Sequence, residues 1–549
     1  MKVNYQVRLF IWQIVMVLVF TLIWGRIFNL QIITSNKTIL EAKNQFFKRI
    51  LTLRGDIRDR NGDLLVLDLI TYDLYNNVRN LEKIKKDKIS SLAKILNISE
   101  KDLTWKLSQK INTKILSALS EQKAEQIQKL SPSFVYLSPK VTRTYPHKKM
   151  AAHVIGFVNS DHLGQHGVEY FHENLLTKFP NKNNNQLPYQ KGTSLVLTID
   201  SLLQEFSEKE LTSAITKSKA SRGTVIVLAP KTGEIYAWAA YPNYDPNNFY
   251  KEKSIKNWSI TDIYEPGSTF KVITVSCALE SMTISKNSTF YDPGFLKVGK
   301  RIIKNHNKNS PRYISLLELF KQSSNVAAAQ IGLSMSPESF YSSIKKLMIA
   351  QKTNIDLPGE SDGLLLQHKK WRTIDLATTA FGQGAVSVTP LQLASAISAI
   401  ANHGQWVQPH VLKGIWEEEY KTISKSPYNI TSELVISSEV ADLVSHLLKQ
   451  SVKENLQSMV YIAGNVPGYD VAGKTGTAQK VKPGGKGYLA GHTVASFIGY
   501  LPADDPEILT LVVIDDPKTG GGWGNTVCGP VFNSVSKMAA KRILEMENT

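Results

Sequence analysis

Cysteine is nearly absent. Cys277 and Cys528 are the two in 549 residues, too few for a disulfide framework, and both read as small buried hydrophobes rather than as a bridge. The eleven histidines carry no metal signature: His147, His153, His162, His166 and His172 are scattered over loops and faces where hydrogen bonding or solvation suffices, so no metal is expected. There is no internal repeat and no recognition-helix or zinc-finger pattern, which removes the usual carriers of nucleic-acid binding. The net charge of +18 therefore needs another reading. Much of the excess lies between Lys83 and Lys129, where lysines alternate with apolar residues at helical spacing. Such a stretch is a solvated helix face, and a basic exported domain is also drawn to anionic lipid or wall polymer.

Acidic residues are missing altogether before Glu41. The run Leu9 to Trp24 has no charge at all, and extending it to Ile33 admits Arg26 alone. A spanning helix needs about 20 residues, which residues 9–33 supply if Arg26 snorkels to the interface. Lys2 and Arg8 precede the run, so residues 1–8 are expected in the cytoplasm and the rest exported. The alternative is a cleaved signal peptide, but Trp24-Gly25-Arg26-Ile27 is a poor cleavage site. The remainder, with 42% hydrophobic residues overall, is long enough for two or three domains with proper cores.

The most informative segment is Tyr264-Glu265-Pro266-Gly267-Ser268-Thr269-Phe270-Lys271. Pro266 and Gly267 break what precedes them, and the apolar run to Leu279 predicts a buried helix starting near Ser268. Residues three apart share a helical face, so the Lys271 amine lies over the Ser268 hydroxyl and can take its proton if kept neutral. Ser-x-x-Lys alone is weak, since it recurs at Ser91, Ser120, Ser342, Ser343 and Ser534. Its company lifts it. Ser323-Ser324-Asn325 follows 55 residues on, and Lys474-Thr475-Gly476-Thr477 later, in the order used by serine acyltransferases of D-alanyl peptides and penicillin.

Lys-Thr-Gly also occurs at Lys231-Thr232-Gly233 and Lys518-Thr519-Gly520, where it reads as a turn. Only the copy at 474 sits in a strand-like run, Asp470 to Gln479, with small residues where a backbone approaches a ligand. The same stretch, Gly468 to Thr475, satisfies the phosphate-loop pattern Gly-x4-Gly-Lys-Thr. A phosphate loop needs a long helix after it, and Gly476 with Lys482-Pro483-Gly484-Gly485 cannot sustain one. The nucleotide match is read as coincidence.

Elsewhere, Arg54-Gly55-Asp56-Ile57-Arg58-Asp59-Arg60-Asn61-Gly62 predicts two short strands around an Asn-Gly turn. The polar segment 181–190 reads as a linker, and a second domain opens at Thr193 to Asp200. Strands near 223–240 and 493–515 with helices between them predict a central sheet packed on helices.

Taken together, Arg-Gly-x-Ile-x-Asp-Arg-x-Gly at 54, Tyr-Glu-Pro-Gly-Ser-Thr-Phe-Lys at 264, Ser-Ser-Asn-Val at 323, Phe381-Gly382-Gln383-Gly384 with Thr389-Pro390-Leu391-Gln392, and Ala-Gly-Lys-Thr-Gly-Thr-Ala-Gln at 472 resemble a class B penicillin-binding protein over essentially the whole chain. Glu265 and the Ser-Ser-Asn-Val form resemble the FtsI-type division enzymes more than the elongation ones. The resemblance implies a membrane-anchored α/β multidomain chain. Its parts would be a cytoplasmic tail (1–8), a transmembrane signal anchor (9–33), an α+β pedestal of the class B dimerisation type (34–190), and a penicillin-binding, serine β-lactamase-like transpeptidase domain (191–549) with an antiparallel sheet packed between helices. It implies a D,D-transpeptidase, without cofactor, that cross-links peptidoglycan stem peptides from lipid-linked precursor and is acylated by β-lactams. The chain would sit in the plasma membrane as a single-pass protein, its catalytic domain outside, beside a membrane glycan polymerase and other divisome proteins.

The resemblance also assigns roles. Ser268 is the nucleophile and Lys271 its base, with the Lys474 charge and burial lowering the Lys271 pKa. Ser323 bridges Lys271 and Lys474 and passes a proton to the departing amine. Asn325 bonds the substrate amide; Lys474, Thr475 and Thr477 hold the terminal carboxylate; the N–H groups of Ser268 and Thr477 meet the oxyanion; Gly476 keeps the strand edge clear. Open alternatives are an elongation-type enzyme, a D-Ala-D-Ala carboxypeptidase or β-lactam hydrolase, and a non-catalytic divisome scaffold. Against the hydrolase stands the lack of Glu-x-x-Leu-Asn between Asn325 and Lys474.

Overall fold

The computed structural model describes residues 5–28, 51–77, 86–109, 111–130, 134–178, 189–252, 254–306, 312–459, 462–482, 484 and 487–545. Residues 1–4 of the expected tail, 29–33 of the expected anchor and most of the polar segment 181–190 lie outside them. The chain forms two compact units, Met1–Leu53 with Asn181–Lys191, and Arg54–Pro180 with Gly192–Thr549.

In the first unit, α1 runs over Tyr5–Phe28 as one helix of 24 residues, and Leu51–Leu53 pairs in parallel with Tyr189–Lys191. Every side chain from Trp12 to Ile27 is exposed, including Trp12, Leu22 and Trp24 at 68–69%. That is the uninterrupted stretch of α1 whose side chains are described. Counted over the described residues, no helix is long and apolar enough to cross a membrane.

In the second unit, one mixed sheet joins early and late parts of the chain. Its strand order is Thr422–Lys425, Leu412–Glu417, Leu195–Leu197, Ile57–Arg58, Leu64–Asn76 and Lys114–Leu119, and Val135–Thr144 also pairs with Leu64–Asn76. The expected Asn61-Gly62 turn joins Ile57–Arg58 to Leu64–Asn76, with Gly62 at φ 92° and the Asp59 carboxylate accepting the N–H groups of Asn61 and Asp63, each at 2.9 Å. The Arg-Gly pair before it has two separate jobs. A Cβ on Gly55 would lie 1.8 Å from the Thr193 carbonyl oxygen, so only glycine lets these backbones pass. Arg54 is buried and donates to Glu169 Oε2 at 2.8 and 3.0 Å and to Glu173 at 2.8 Å. Glu169, fully buried, also accepts from Arg143 at 2.7 Å, which in turn meets Asp68 at 3.2 Å. A buried ion network therefore ties the Arg54 segment and the helix Gly167–Phe171, which carries Glu169, to the sheet.

The other sheet is antiparallel and five-stranded. With β1 as Arg222–Leu228, β2 as Ile235–Tyr241, β3 as Ala472–Val481, β4 as Tyr488–Leu501 and β5 as Ile508–Asp515, the order is β3-β4-β5-β1-β2. Alternate residues point to opposite faces of a strand, and both faces are covered here. Ile226, Leu228, Ile498, Leu509 and Leu511 join one core with the helix Phe270–Glu280; Val225, Val227, Phe497, Val512 and Ile514 join a second with the helices Ser201–Ser218 and Gly529–Ala539. Doubly covered strands need no alternation of polarity, and β5 is buried at every position. The sequence predicts a sheet packed on helices, and the family resemblance implies the cover on both faces seen here. Cys277 and Cys528 are buried and unbridged.

The misleading motif copies fall where the sequence places them. Lys231-Thr232-Gly233 turns between β1 and β2, and Lys518-Thr519-Gly520 lies in a loop. Thr475 is inside β3 with no helix after it, so the phosphate-loop geometry is absent.

Candidate active site

Ser268 stands in a 3-10 turn, Gly267–Thr269, that feeds the helix Phe270–Glu280, here α2. Every α2 residue from Phe270 to Leu279 is buried, Lys271 included, with zero exposure. The Ser323 turn ends one helix, Leu316–Gln322 (α3), and starts another, Asn325–Ser334 (α4). Ser323 takes a left-handed conformation, φ 56°, and Ser324 caps α4 by accepting the Ala327 N–H at 3.0 Å.

That turn has a brace the sequence did not suggest. Asp292 accepts two bonds from the Asn305 amide, at 2.8 and 2.7 Å, and one from Ser324 Oγ at 2.5 Å. Asn305 Oδ1 then accepts the N–H groups of Asn325 and Val326, at 2.9 and 3.1 Å. The first-turn donors of α4, which a helix cannot satisfy itself, are thus met by a side chain from the neighbouring hairpin.

Four oxygens surround Lys271 Nζ: Ser323 O at 2.6 Å, Asn325 Oδ1 at 2.8 Å, and Ser268 Oγ and Ser323 Oγ at 3.1 Å each. The first two can only accept, the Asn325 amide being oriented by its Nδ2 donation to Lys304 O at 3.0 Å. They use both N–H groups of a neutral amine. Its lone pair is then left for a hydroxyl, and the two hydroxyls in range are those of Ser268 and Ser323. Burial first, and the Lys474 charge second, hold the Lys271 pKa well below the usual lysine range against an opposing pull from Asp292. The neutral base that the chemistry needs is thus favoured by its surroundings.

Lys474 lies on β3, 4% exposed, and burial lowers its pKa to about 7. Its Nζ donates to Thr475 O at 3.1 Å and Thr475 Oγ1 at 3.3 Å. Among the described residues it makes no hydrogen bond to Ser323, so the expected Ser323 bridge is made here on the Lys271 side alone. Thr477 Oγ1 accepts the Gly524 N–H at 3.3 Å. A Cβ on Gly476 would lie 2.2 Å from Ser496 Oγ and 2.9 Å from Thr269 Cγ2, which keeps β3 against the Ser268 turn. Ser268, Ser323, Asn325, Thr475 and Thr477 all line one groove of about 1030 Å³. His306 and Trp523, unremarked in the sequence, line that groove with their rings in tilted contact, centroids 4.0 Å apart and planes inclined by 48°.

The depressed Lys474 pKa makes a stability prediction. Between pH 7 and the ordinary lysine range the unfolded chain holds a proton that the folded one has released. Stability therefore rises with pH in that window, by at most about 1.4 kcal/mol per unit for this lysine. Lys474→Met is expected to flatten that slope in urea titrations from pH 6.5 to 9; an unchanged slope would refute the assignment.

The penicillin-binding protein transpeptidase domain model matches residues 223–537, and the penicillin-binding protein dimerisation domain model matches residues 49–192. The chain belongs to the penicillin-binding protein transpeptidase family. Among relatives, the peptidoglycan D,D-transpeptidase FtsI homolog of Mesostigma viride is 33% identical over 94% of this chain and 92% of its own length. Stage V sporulation protein D of Bacillus subtilis is 31% identical over 95% and 83%. Among solved structures, penicillin-binding protein 2X of Streptococcus thermophilus superposes with a TM-score of 0.78 at 23% identity, over 91% of this chain and 80% of that one. The domain pairing and the FtsI-named relative place the chain among the class B, FtsI-type penicillin-binding proteins.

Proposed function

We infer that this penicillin-binding protein is a serine-type peptidoglycan D,D-transpeptidase of cell-wall synthesis, acting at the division septum and acylated by β-lactams. The observation that carries the reading is a buried lysine amine 3.1 Å from two serine hydroxyls, with its N–H groups already engaged. In this reading Ser268 Oγ attacks the carbonyl between two terminal D-alanines while its proton passes to Lys271. Ser323 relays that proton to the departing D-alanine, and Asn325, already anchored to Lys304 O, orients the stem-peptide amide. Lys474, Thr475 and Thr477 take the terminal carboxylate. Backbone N–H groups of Ser268 and Thr477 hold the oxyanion, each donor worth roughly 3 to 4 kcal/mol in such sites. An amine from a neighbouring stem peptide then receives the acyl group.

The anchor belongs to the same reading. Its support is the sequence: residues 9–33 reach the about 20 residues that a spanning helix needs, and the Leu9–Trp24 run is uncharged. Residues 1–8 would remain cytoplasmic, 34–190 form the pedestal and 191–549 the exported transpeptidase domain, with a membrane glycan polymerase and other divisome proteins as partners.

The test is cross-linking of glycan made from lipid-linked precursor. Dimeric muropeptides should appear and vanish when penicillin is added first. Loss of terminal D-alanine with no dimers would instead make the enzyme a carboxypeptidase.

A further inference from the structure

The groove holds an acid that the acylation steps leave unused. Glu265, three residues before Ser268, lines the same groove and is 7% exposed. Its carboxylate accepts the Gly384 N–H at 2.9 Å and the Tyr488 hydroxyl at 3.0 Å, and Gln383 also bonds it. These are neutral donors, and among the described residues no cation pairs with it. Buried carboxylates are ordinarily paired, so this one is set up for a positive group that arrives.

The setting is rigid. Tyr264 and Val388 exchange both backbone hydrogen bonds at 2.9 Å, and the Gly267 N–H donates to Gly382 O at 3.0 Å, so the backbone on both sides of Glu265 is laced to residues 382–388. Tyr488, from β4, is kept a neutral donor by burial and by Glu265 itself. Burial also pushes the Glu265 carboxyl upward, against the lowering pull of its bonds to Gly384, Tyr488 and Gln383. Arg301, which lines the groove and whose charge reaches Tyr488, is the opposing charge nearby. A bare cation would be repelled by it; an ammonium carried beside a carboxylate would find a partner for each charge.

Resting on the transpeptidase reading, we propose that Glu265 binds the ammonium of the acceptor stem peptide and takes its proton, so that acyl transfer to an amine outruns hydrolysis. The acceptor arrives as R–NH3+, and one proton goes to the Glu265 carboxylate. The freed amine nitrogen attacks the ester carbonyl; as the C–N bond forms and the bond from carbon to Ser268 Oγ breaks, the second proton passes through Lys271 to the departing Ser268 oxygen. The products are an amide, a neutral serine and a protonated Glu265, which returns its proton to water.

The test uses the full chain in detergent, acylated by a depsipeptide donor in the presence of a diamino-acid peptide whose amine-bearing carbon also carries a carboxylate. The readout is the ratio of transfer to hydrolysis from one acyl-enzyme, which a merely structural role would not move. Glu265→Gln should lower that ratio at least tenfold and raise the acceptor concentration needed for half-maximal transfer. Glu265→Asp should recover most of it. An unchanged ratio in Glu265→Gln overturns the proposal, as does a Glu265→Asp variant that melts normally yet transfers no better than the glutamine variant. If Glu265→Gln is folded but forms no acyl-enzyme, Glu265 serves Ser268 and the acceptor role is refuted. Failure of the wild-type chain to form an acyl-enzyme would instead refute the transpeptidase reading itself.

Discussion

Lys271→Ala is expected to slow acylation of Ser268 by a labelled penicillin by about 10²- to 10⁴-fold, the range that a positioned general base contributes, while leaving the chain folded. The amine accepts a proton only when neutral, and its pKa is held low by burial and by Lys474. Acylation by the wild-type chain should therefore rise with pH as Lys271 deprotonates, whereas the residual rate in the alanine variant should not follow that curve. Lys271→Arg, which keeps charge but cannot lose its proton in this range, should be as slow as alanine. Stopped-flow acylation across pH decides it: near-normal rates in either variant would remove Lys271 as the base.

The second large effect concerns the fold. Glu169→Ala removes the carboxylate shared by Arg54 and Arg143, at 2.8 and 2.7 Å, and leaves two buried guanidinium groups without the acid they share. Each keeps one acid, Glu173 for Arg54 and Asp68 for Arg143. Breaking a buried pair by deleting one partner costs about 3 to 5 kcal/mol, a large share of an ordinary domain's stability. The urea midpoint should fall accordingly, with Glu169→Gln in between. A loss below about 1 kcal/mol would show that the network is solvated rather than buried.

What could be read beforehand was whatever depends on local spacing. Ser268 and Lys271 share a helical turn, and one strand carries Lys474 to Thr477, so short-range periodicity placed both. The decoys at 231 and 518 were separable because glycine-rich or turn-like neighbours surround them. The central sheet packed on helices followed from the strand-like runs near 223–240 and 493–515, while cover on both faces was implied by the family resemblance alone. The parts that escaped notice are made by residues distant in sequence. Asp292 and Asn305 brace the Ser323 turn from a hairpin whose pattern says nothing about its neighbour. Glu265 meets Tyr488 across more than two hundred residues. Ser323 bonds Lys271 but not Lys474, because Lys474 Nζ turns to its own neighbour Thr475; motif order fixes which residues meet, and only packing fixes which atoms do.

The most direct test of the central claim is mass spectrometry of the penicillin-treated protein. One covalent adduct is predicted, on the peptide containing Ser268, absent from Ser268→Ala and strongly reduced in Lys271→Ala. An adduct on another residue, or one that survives in Ser268→Ala, would contradict the account.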